Sequence, residues 1–400
     1  MMFVQYFIWG VWWVPFGSFM AKHGLDHAIG EVYATQGYAA ILAPLFFGAI
    51  CDRYLPAQVV MGILHLGGAA SLAAVAVVAG QNNPGALILA ALVAWAFYMP
   101  TLPLSTTIAF NAVTDTTRQF PAIRVFGTIG WIVAGLLVGF LHMEATRIPV
   151  LMAAAASLAY GLYSFTLPAT PPRADRGKLS IVGILGLDAL KGADKPFKIF
   201  IVASFATTVP LAFYYAYTNT FLIESGVPLA AAIQSLGQVS ELVFMLLMPL
   251  LFLRLGIKWV MTIGMLAWVA RYVLFAFGAT ASGPIMAFML GGIILHGVCY
   301  DFFFVAGQIY VDRTFSPATR ARAQSILALI TQGIGMAIGS LLANAVYVAN
   351  TTGPEKHEWH AIWLIPAGLA LATAVVFALV FKDRRAIPMA APAVAGSEVL

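Results

Sequence analysis

The chain of 400 residues is 61% hydrophobic and only 9% charged, with a formal net charge of +5. Soluble domains carry about 25% charged residues and need that polarity to cover their surface. The composition excludes a soluble globular protein and fits a polytopic membrane protein.

Taken in chain order, apolar runs of about 20 residues, each long enough to cross ~30 Å of hydrocarbon as a helix, are predicted at 3–21, 32–51, 57–79, 85–113, 121–142, 148–168, 197–222, 228–252, 259–279, 284–311, 322–348 and 359–381. The runs are continuously apolar, not alternating, which favours helices over a barrel. The fold class expected is thus an all-α membrane protein with twelve transmembrane helices. Prolines and charges interrupt the pattern at 169–196 and divide the spans six and six. The organisation predicted is a six-helix bundle over 1–168, a cytoplasmic linker over 169–196, a second six-helix bundle over 197–383 and a cytoplasmic tail over 384–400. Within the linker, Leu179 to Leu190 is short and amphipathic. It reads either as an interfacial helix or as a connector with one helical turn.

The placement of the basic residues orients the chain. With the N-terminus in the cytoplasm, the even-numbered loops and the C-terminal tail hold 16 Lys and Arg, and the odd-numbered loops hold three, Lys22, Arg147 and Lys356. Arg124 and Arg271 fall inside spans and complete the 21. By the positive-inside rule both termini face the cytoplasm, as in a multi-pass protein of the inner (cytoplasmic) membrane. The basic excess is therefore a topology signal, and no nucleic-acid partner is expected. No basic residue precedes the first span, so a cleaved signal peptide is not expected either. Cys51 and Cys299 are far apart in sequence and sit in apolar surroundings, where they read as packing residues.

The halves repeat. "GAICDRYLPAQVV" after the second span answers "PLLFLRLGIKWVM" after the eighth, with Arg53 and Arg254 separated by 201 positions. "FPAIR" before the fifth span answers "SPATR" before the eleventh, with Pro121 and Pro317 separated by 196. Matches at nearly one period indicate two parallel six-helix repeats, related by pseudo-symmetry. Such an arrangement places a ligand site near the membrane midplane, between the halves.

Ionisable groups inside a bilayer are costly unless paired or hydrated, so Arg124, Glu241, Arg271, His296 and Asp301 are the functional candidates. Arg124, Thr128 and Trp131 follow i, i+4, i+7 spacing and share one helix face. A forked guanidinium beside an indole suits a sugar or a nucleoside; the alternative for Arg124 is snorkelling to the inner interface. Gln234, Gln238 and Glu241 form a second polar face, on which Glu241 is either a site residue or the structural partner of Arg271. His296 and Tyr300 are stacked at i, i+4, and Asp301 is turned about 100° from Tyr300. A buried carboxylate near a cation can exchange a proton near neutral pH, which suits Asp301, Glu241 or both to proton coupling. Pro100 and Pro103 are expected to bend the fourth span, and Gly335 with Gly339 to let helices approach. Trp9, Trp12 and Trp13 read as interface anchors or as cavity wall. There is no nucleophile–base constellation and no metal-spaced set, so neither an enzyme nor a metal site is expected, and no cofactor.

Gly48, Asp52 and Arg53 resemble the cytoplasmic loop motif of the major facilitator superfamily. In that family the Asp-Arg pair helps latch the bundles, which implies a gating role for Asp52 and Arg53. The later glycine and basic positions of the motif are Leu55 and Pro56-Ala57 here. More specifically, "VQYFIWGVWWVPFGSFM", "FYMPTLPLSTTIAF", "FPAIRVFGTIGW", "GQVSELVFMLLMP", "LGIKWVM" and "CYDFFFVAG…SPATRARAQ" together look like the nucleoside–proton symporter family of that superfamily, in matching order over nearly the whole chain. The resemblance implies ribose or base contacts at Arg124, Thr128, Gln238 and Glu241, an aromatic contact at Tyr300 and a carboxylate at Asp301. This sequence departs from the family at several positions. Ala212 and Tyr215 stand where the family supplies amides for base recognition, His296 where a tyrosine is expected, and Trp131 where a phenylalanine is. "RVFGTIGW" is also similar to the arginine-to-tryptophan segment of the lactose permease, in which those two residues hold a galactoside. The function expected is proton-coupled import of nucleosides by a monomer, with H+ as the coupling ion, and sugar–proton symport as the alternative. Trp131, Tyr215 and His296 join the substrate-binding set, and Arg271 is assigned a gating or structural role.

Overall fold

The computed structural model describes residues 1–53, 55–172, 181–280, 282–353 and 356–382, with the side chains of 44–53, 116–118, 121, 181, 249 and 317–318 left aside. The side chains of Cys51, Asp52 and Arg53 therefore lie outside the described residues, as do 173–180 of the linker and the tail from 384 onward.

The chain is helical almost throughout. Helices α1 (Met2–Lys22), α2 (Ile29–Arg53), α3 (Ala57–Val78), α4 (Pro84–Tyr98), α5 (Thr101–Ala112), α6 (Thr116–Phe140) and α7 (Ile148–Ser164) precede the linker. Two single-turn helices, α8 (Ile181–Ile184) and α9 (Asp188–Lys191), lie within it, separated by Gly186 at a φ of 70°. Then follow α10 (Lys195–Glu224), α11 (Ala230–Gly278), α12 (Met286–Ile294), α13 (His296–Tyr300), α14 (Ala306–Thr314), α15 (Pro317–Ala328), α16 (Met336–Ala349) and α17 (Trp359–Val380). Two-stranded hairpins of two or three residues per strand close the turns after α11 and α16. Among the described residues, nine helices are long and apolar enough to cross a membrane.

Local chemistry sets the breaks. Asn83 caps α4 by accepting from the Ala86 N–H at 3.1 Å, with Pro84 at the first helical position; Asp194 does the same for α10 through Phe197. A side-chain acceptor followed by proline satisfies N–H groups that the first turn leaves orphaned. The prolines at 100 and 103 interrupt the run that begins at Pro84, so α4 stops at Tyr98 and α5 restarts at Thr101. Residues 228–252 and 259–279, expected as separate spans, are two helices that meet at a non-helical kink at Gly256, whose φ of 72° side chains disfavour; the label α11 covers both. Two π-helical segments, Asp301–Val305 and Leu329–Gly335, shift the register of the α13–α14 and α15–α16 passages. Such bulges re-aim side chains and recur at functional sites.

Packing between helices fixes the interior. Helix α1 lies so close to α6 that a Cβ on Gly130 would sit 2.2 Å from the Phe3 carbonyl oxygen. The halves meet through polar side chains that would otherwise be stranded in hydrocarbon. The Ser18 hydroxyl donates to Asn219 Oδ1 at 2.6 Å, and Asn219 Nδ2 donates to Gln234 Oε1 at 2.8 Å. Asn344 Oδ1 accepts from the Gly30 N–H and the Tyr217 hydroxyl, each at 2.9 Å, while its Nδ2 donates to the His27 carbonyl at 2.8 Å. These bonds join the end of α1 and the start of α2 to α10, α11 and α16, and so seal the two halves together at the end that carries the 22–29 turn.

Replacing Gly130 by valine forces α1 and α6 apart and should cost about 1–3 kcal/mol, the usual penalty of overpacking. Thermal unfolding of the purified protein in detergent reads this as a lowered Tm; an unchanged Tm would contradict the close packing.

Candidate functional site

Below the seal, α1, α6, α10, α11 and α13 enclose a cavity of about 540 Å³ lined by Tyr6, Trp9, Arg124, Gly127, Thr128, Trp131, Tyr215, Gln238, Glu241, His296 and Tyr300. The helical spacing explains the convergence. Positions 124, 128 and 131 fall on one stripe of α6, and 238 and 241 on one stripe of α11. A second cavity of about 400 Å³ adjoins it toward the seal, sharing Trp131, Tyr215 and Gln238 and adding Trp13, Tyr214 and Gln234. A third, of about 300 Å³, lies toward the α14–α15 turn and shares Tyr300.

The Arg124 guanidinium lies 4.2 Å over the Tyr6 ring, close enough for a cation–π contact. Arg124 is thus packed into the cavity wall and does not snorkel to the interface. Trp9 meets Trp131 edge-on, with ring centroids 5.4 Å apart. Trp12 and Trp13 pack on Trp95 at 5.6 and 4.6 Å. Of the two readings left open for this tryptophan cluster, Trp9 and Trp13 take that of cavity wall, while Trp12 is buried packing, which neither reading named.

The direct pairing of Glu241 with Arg271 requires correction. Arg271 is fully buried outside the cavity, its guanidinium 3.6 Å above the Tyr214 ring, and its Nη1 bonds His296 Nδ1 at 3.0 Å. His296 stands between the two charges, with Nε2 3.9 Å from Glu241 Oε2. The backbone dictates this spacing. At Gly297 a Cβ would come 2.6 Å from the Ser240 carbonyl, and the Gly297 N–H donates to Ser240 Oγ at 2.9 Å, so α13 is drawn onto α11 beside Glu241.

Eight of the nine residues predicted to bind substrate line this one cavity: Arg124, Thr128, Trp131, Tyr215, Gln238, Glu241, His296 and Tyr300. Asp301 does not. One position beyond Tyr300 the helix has turned about 100°, and the Asp301 carboxylate is fully buried with neither oxygen hydrogen-bonded among the described residues. Tyr6 escaped the sequence reading. Its spacing of three from Trp9, on the same face of α1, is the signal that could have found it. Among the described residues no group of three or more His, Cys, Asp and Glu is arranged to hold a metal ion.

Chemically the cavity offers a fixed cationic fork, a carboxylate, an amide and several hydroxyls between aromatic faces. That set recognises a ring bearing hydroxyls and heteroatoms.

The chain is similar to known transporters. A family profile described as Nucleoside H+ symporter matches residues 1–386. YegT of Escherichia coli (strain K12) is 39% identical over 398 residues, covering 96% of this chain and 92% of its own. The nucleoside permease NupG of the same organism is 34% identical over 398 residues, covering 95% and 94%. A crystal structure of a NupG point variant superposes with a TM-score of 0.88 at 34% identity, covering 95% of this chain and 98% of that one. An auto-inhibited peptide transporter of the POT family, 13% identical, shares the fold alone, with a TM-score of 0.75 over 98% of this chain and 97% of that one.

An unpartnered buried carboxylate opposes folding. Asp301→Leu, which fills a similar volume without the polar atoms, should therefore raise stability by about 1–3 kcal/mol. A higher Tm in detergent is expected; a lower one would mean that Asp301 has a stabilising partner.

Proposed function

The chain belongs to the nucleoside H+ symporter family, a family of transporters and not of enzymes, and on that premise we propose that it imports nucleosides together with protons across the inner (cytoplasmic) membrane. The observation that carries this reading is the single cavity into which both halves of the chain send hydrogen-bonding and aromatic side chains. Arg124, Gln238, Glu241 and Thr128 hold the polar substituents of the nucleoside, and Trp131, Tyr300 and Tyr215 present ring surfaces to the base. Glu241 inside the cavity and Asp301 behind it exchange the coupling proton. Protonation favours loading from outside, and proton loss inside releases the substrate.

The twelve spans form two six-helix bundles of the major facilitator fold, joined by the linker, with both termini and the linker in the cytoplasm. The seal through Ser18, Asn219 and Asn344 then lies on the outer side. This supports alternating access, in which the halves rock about the midplane site and the present closure is the inward-facing member of the cycle. The transport unit in this reading is a monomer.

Uptake of labelled uridine and adenosine in transport-deficient cells tests the reading. Both should accumulate, and a protonophore should abolish accumulation. Uptake indifferent to the protonophore would remove the coupling, and competition by excess galactoside would shift the substrate to a sugar. Arg124→Lys keeps the charge but loses the fork, and should weaken uridine affinity roughly 10- to 100-fold, the range of a charge-assisted hydrogen bond. Glu241→Gln should retain uridine exchange across the membrane while losing gradient-driven accumulation, measured in proteoliposomes.

A further inference from the structure

Arg271 is the one arginine of the bundle interior that reaches no carboxylate among the described residues and does not line the cavity, yet it is wholly buried. Its contacts say what it does. The guanidinium stacks on Tyr214 at 3.6 Å, which fixes its plane, and Nη1 points at His296 Nδ1 at 3.0 Å. An arginine has only donors. His296 Nδ1 must therefore accept, which leaves the ring proton on Nε2, the nitrogen that faces the cavity and the Glu241 carboxylate.

We propose that Arg271 is a positioning residue that locks His296 as a neutral Nε2–H donor, so that His296 and Glu241 together grip a single ligand hydroxyl. The 3.9 Å between Nε2 and Glu241 Oε2 is too long for a direct hydrogen bond. It suits an oxygen lying beside both, which accepts from Nε2–H and donates to the carboxylate. Only a group that is both acceptor and donor satisfies the two sides, and on a nucleoside that group is a ribose hydroxyl. The hydroxyl assignment rests on the nucleoside reading above; the tautomer assignment does not. The Gly297 contact with Ser240 holds the two gripping side chains at this separation.

The tautomer is read directly by ¹⁵N NMR of the purified, histidine-labelled protein, with His296→Gln identifying the His296 signals. The expected spectrum has a bare Nδ1 and a protonated Nε2. Arg271→Gln keeps a donor toward Nδ1 and should preserve that pattern; Arg271→Met removes the donor and should abolish the single tautomer. Two results would overturn the lock: a proton on Nδ1 in the unaltered protein, or an Arg271→Met spectrum identical to it. The grip is read by binding of uridine, 2′-deoxyuridine, 3′-deoxyuridine and 5′-deoxyuridine. One deoxy analogue should bind about tenfold more weakly than uridine to the unaltered protein, and the ratio should fall to near one in His296→Phe and in Arg271→Met. A ratio that survives both substitutions overturns the shared hydroxyl. Failure of every nucleoside to bind would instead count against the transport reading, with the tautomer still decided by the spectrum.

Discussion

A polar side chain in hydrocarbon must find its partner within the protein, and the interior of this transporter is organised by that requirement. Arg271 meets it in part, through His296 at Nη1 and the Tyr214 ring, with Nε and Nη2 left without a hydrogen bond among the described residues, and Arg124 meets it through the Tyr6 ring. Neither arginine needs an ion pair with a carboxylate to stay inside. Glu241 stands at the cavity wall with no ion pair to either arginine among the described residues, and His296 faces it at a distance that a ligand atom can bridge. A direct Arg271–Glu241 salt bridge would have neutralised both groups and closed the site to chemistry.

The same constraint separates the two carboxylates. Glu241 can be reached from the cavity, while Asp301, one residue along from Tyr300 and turned about 100° from it, is buried outside the lining, with both oxygens unpartnered among the described residues. It sits where α13 gives way to a π-helical segment. A buried group left unsatisfied is a standing cost that folding tolerates when function needs it. Two carboxylates in such different surroundings are suited to different steps of one transport cycle.

Close helix packing determines which residues can meet. The bare backbone at Gly130 lets α1 reach α6, and that at Gly297 lets α13 reach α11. The first contact brings Tyr6 and Trp9 to Arg124 and Trp131; the second brings His296 to Glu241. At the sealed end, Ser18, Asn219 and Asn344 tie the halves by hydrogen bonds that are local and few.

Much was legible in the sequence because membrane helices carry strong, local signals. Continuous apolar runs fixed the helical class, prolines located the break before Thr101, and 3.6-residue periodicity aligned Arg124 with Thr128 and Trp131 and Gln238 with Glu241. The ordered motifs supplied the family. The tertiary structure decided what depends on rotation and on contacts between helices far apart in the chain. It left Asp301 out of the cavity lining, added Tyr6 to the wall, and placed His296 between Arg271 and Glu241. Periodicity tells which residues share a face of one helix, but the partner that face meets is chosen by packing, which no single helix encodes.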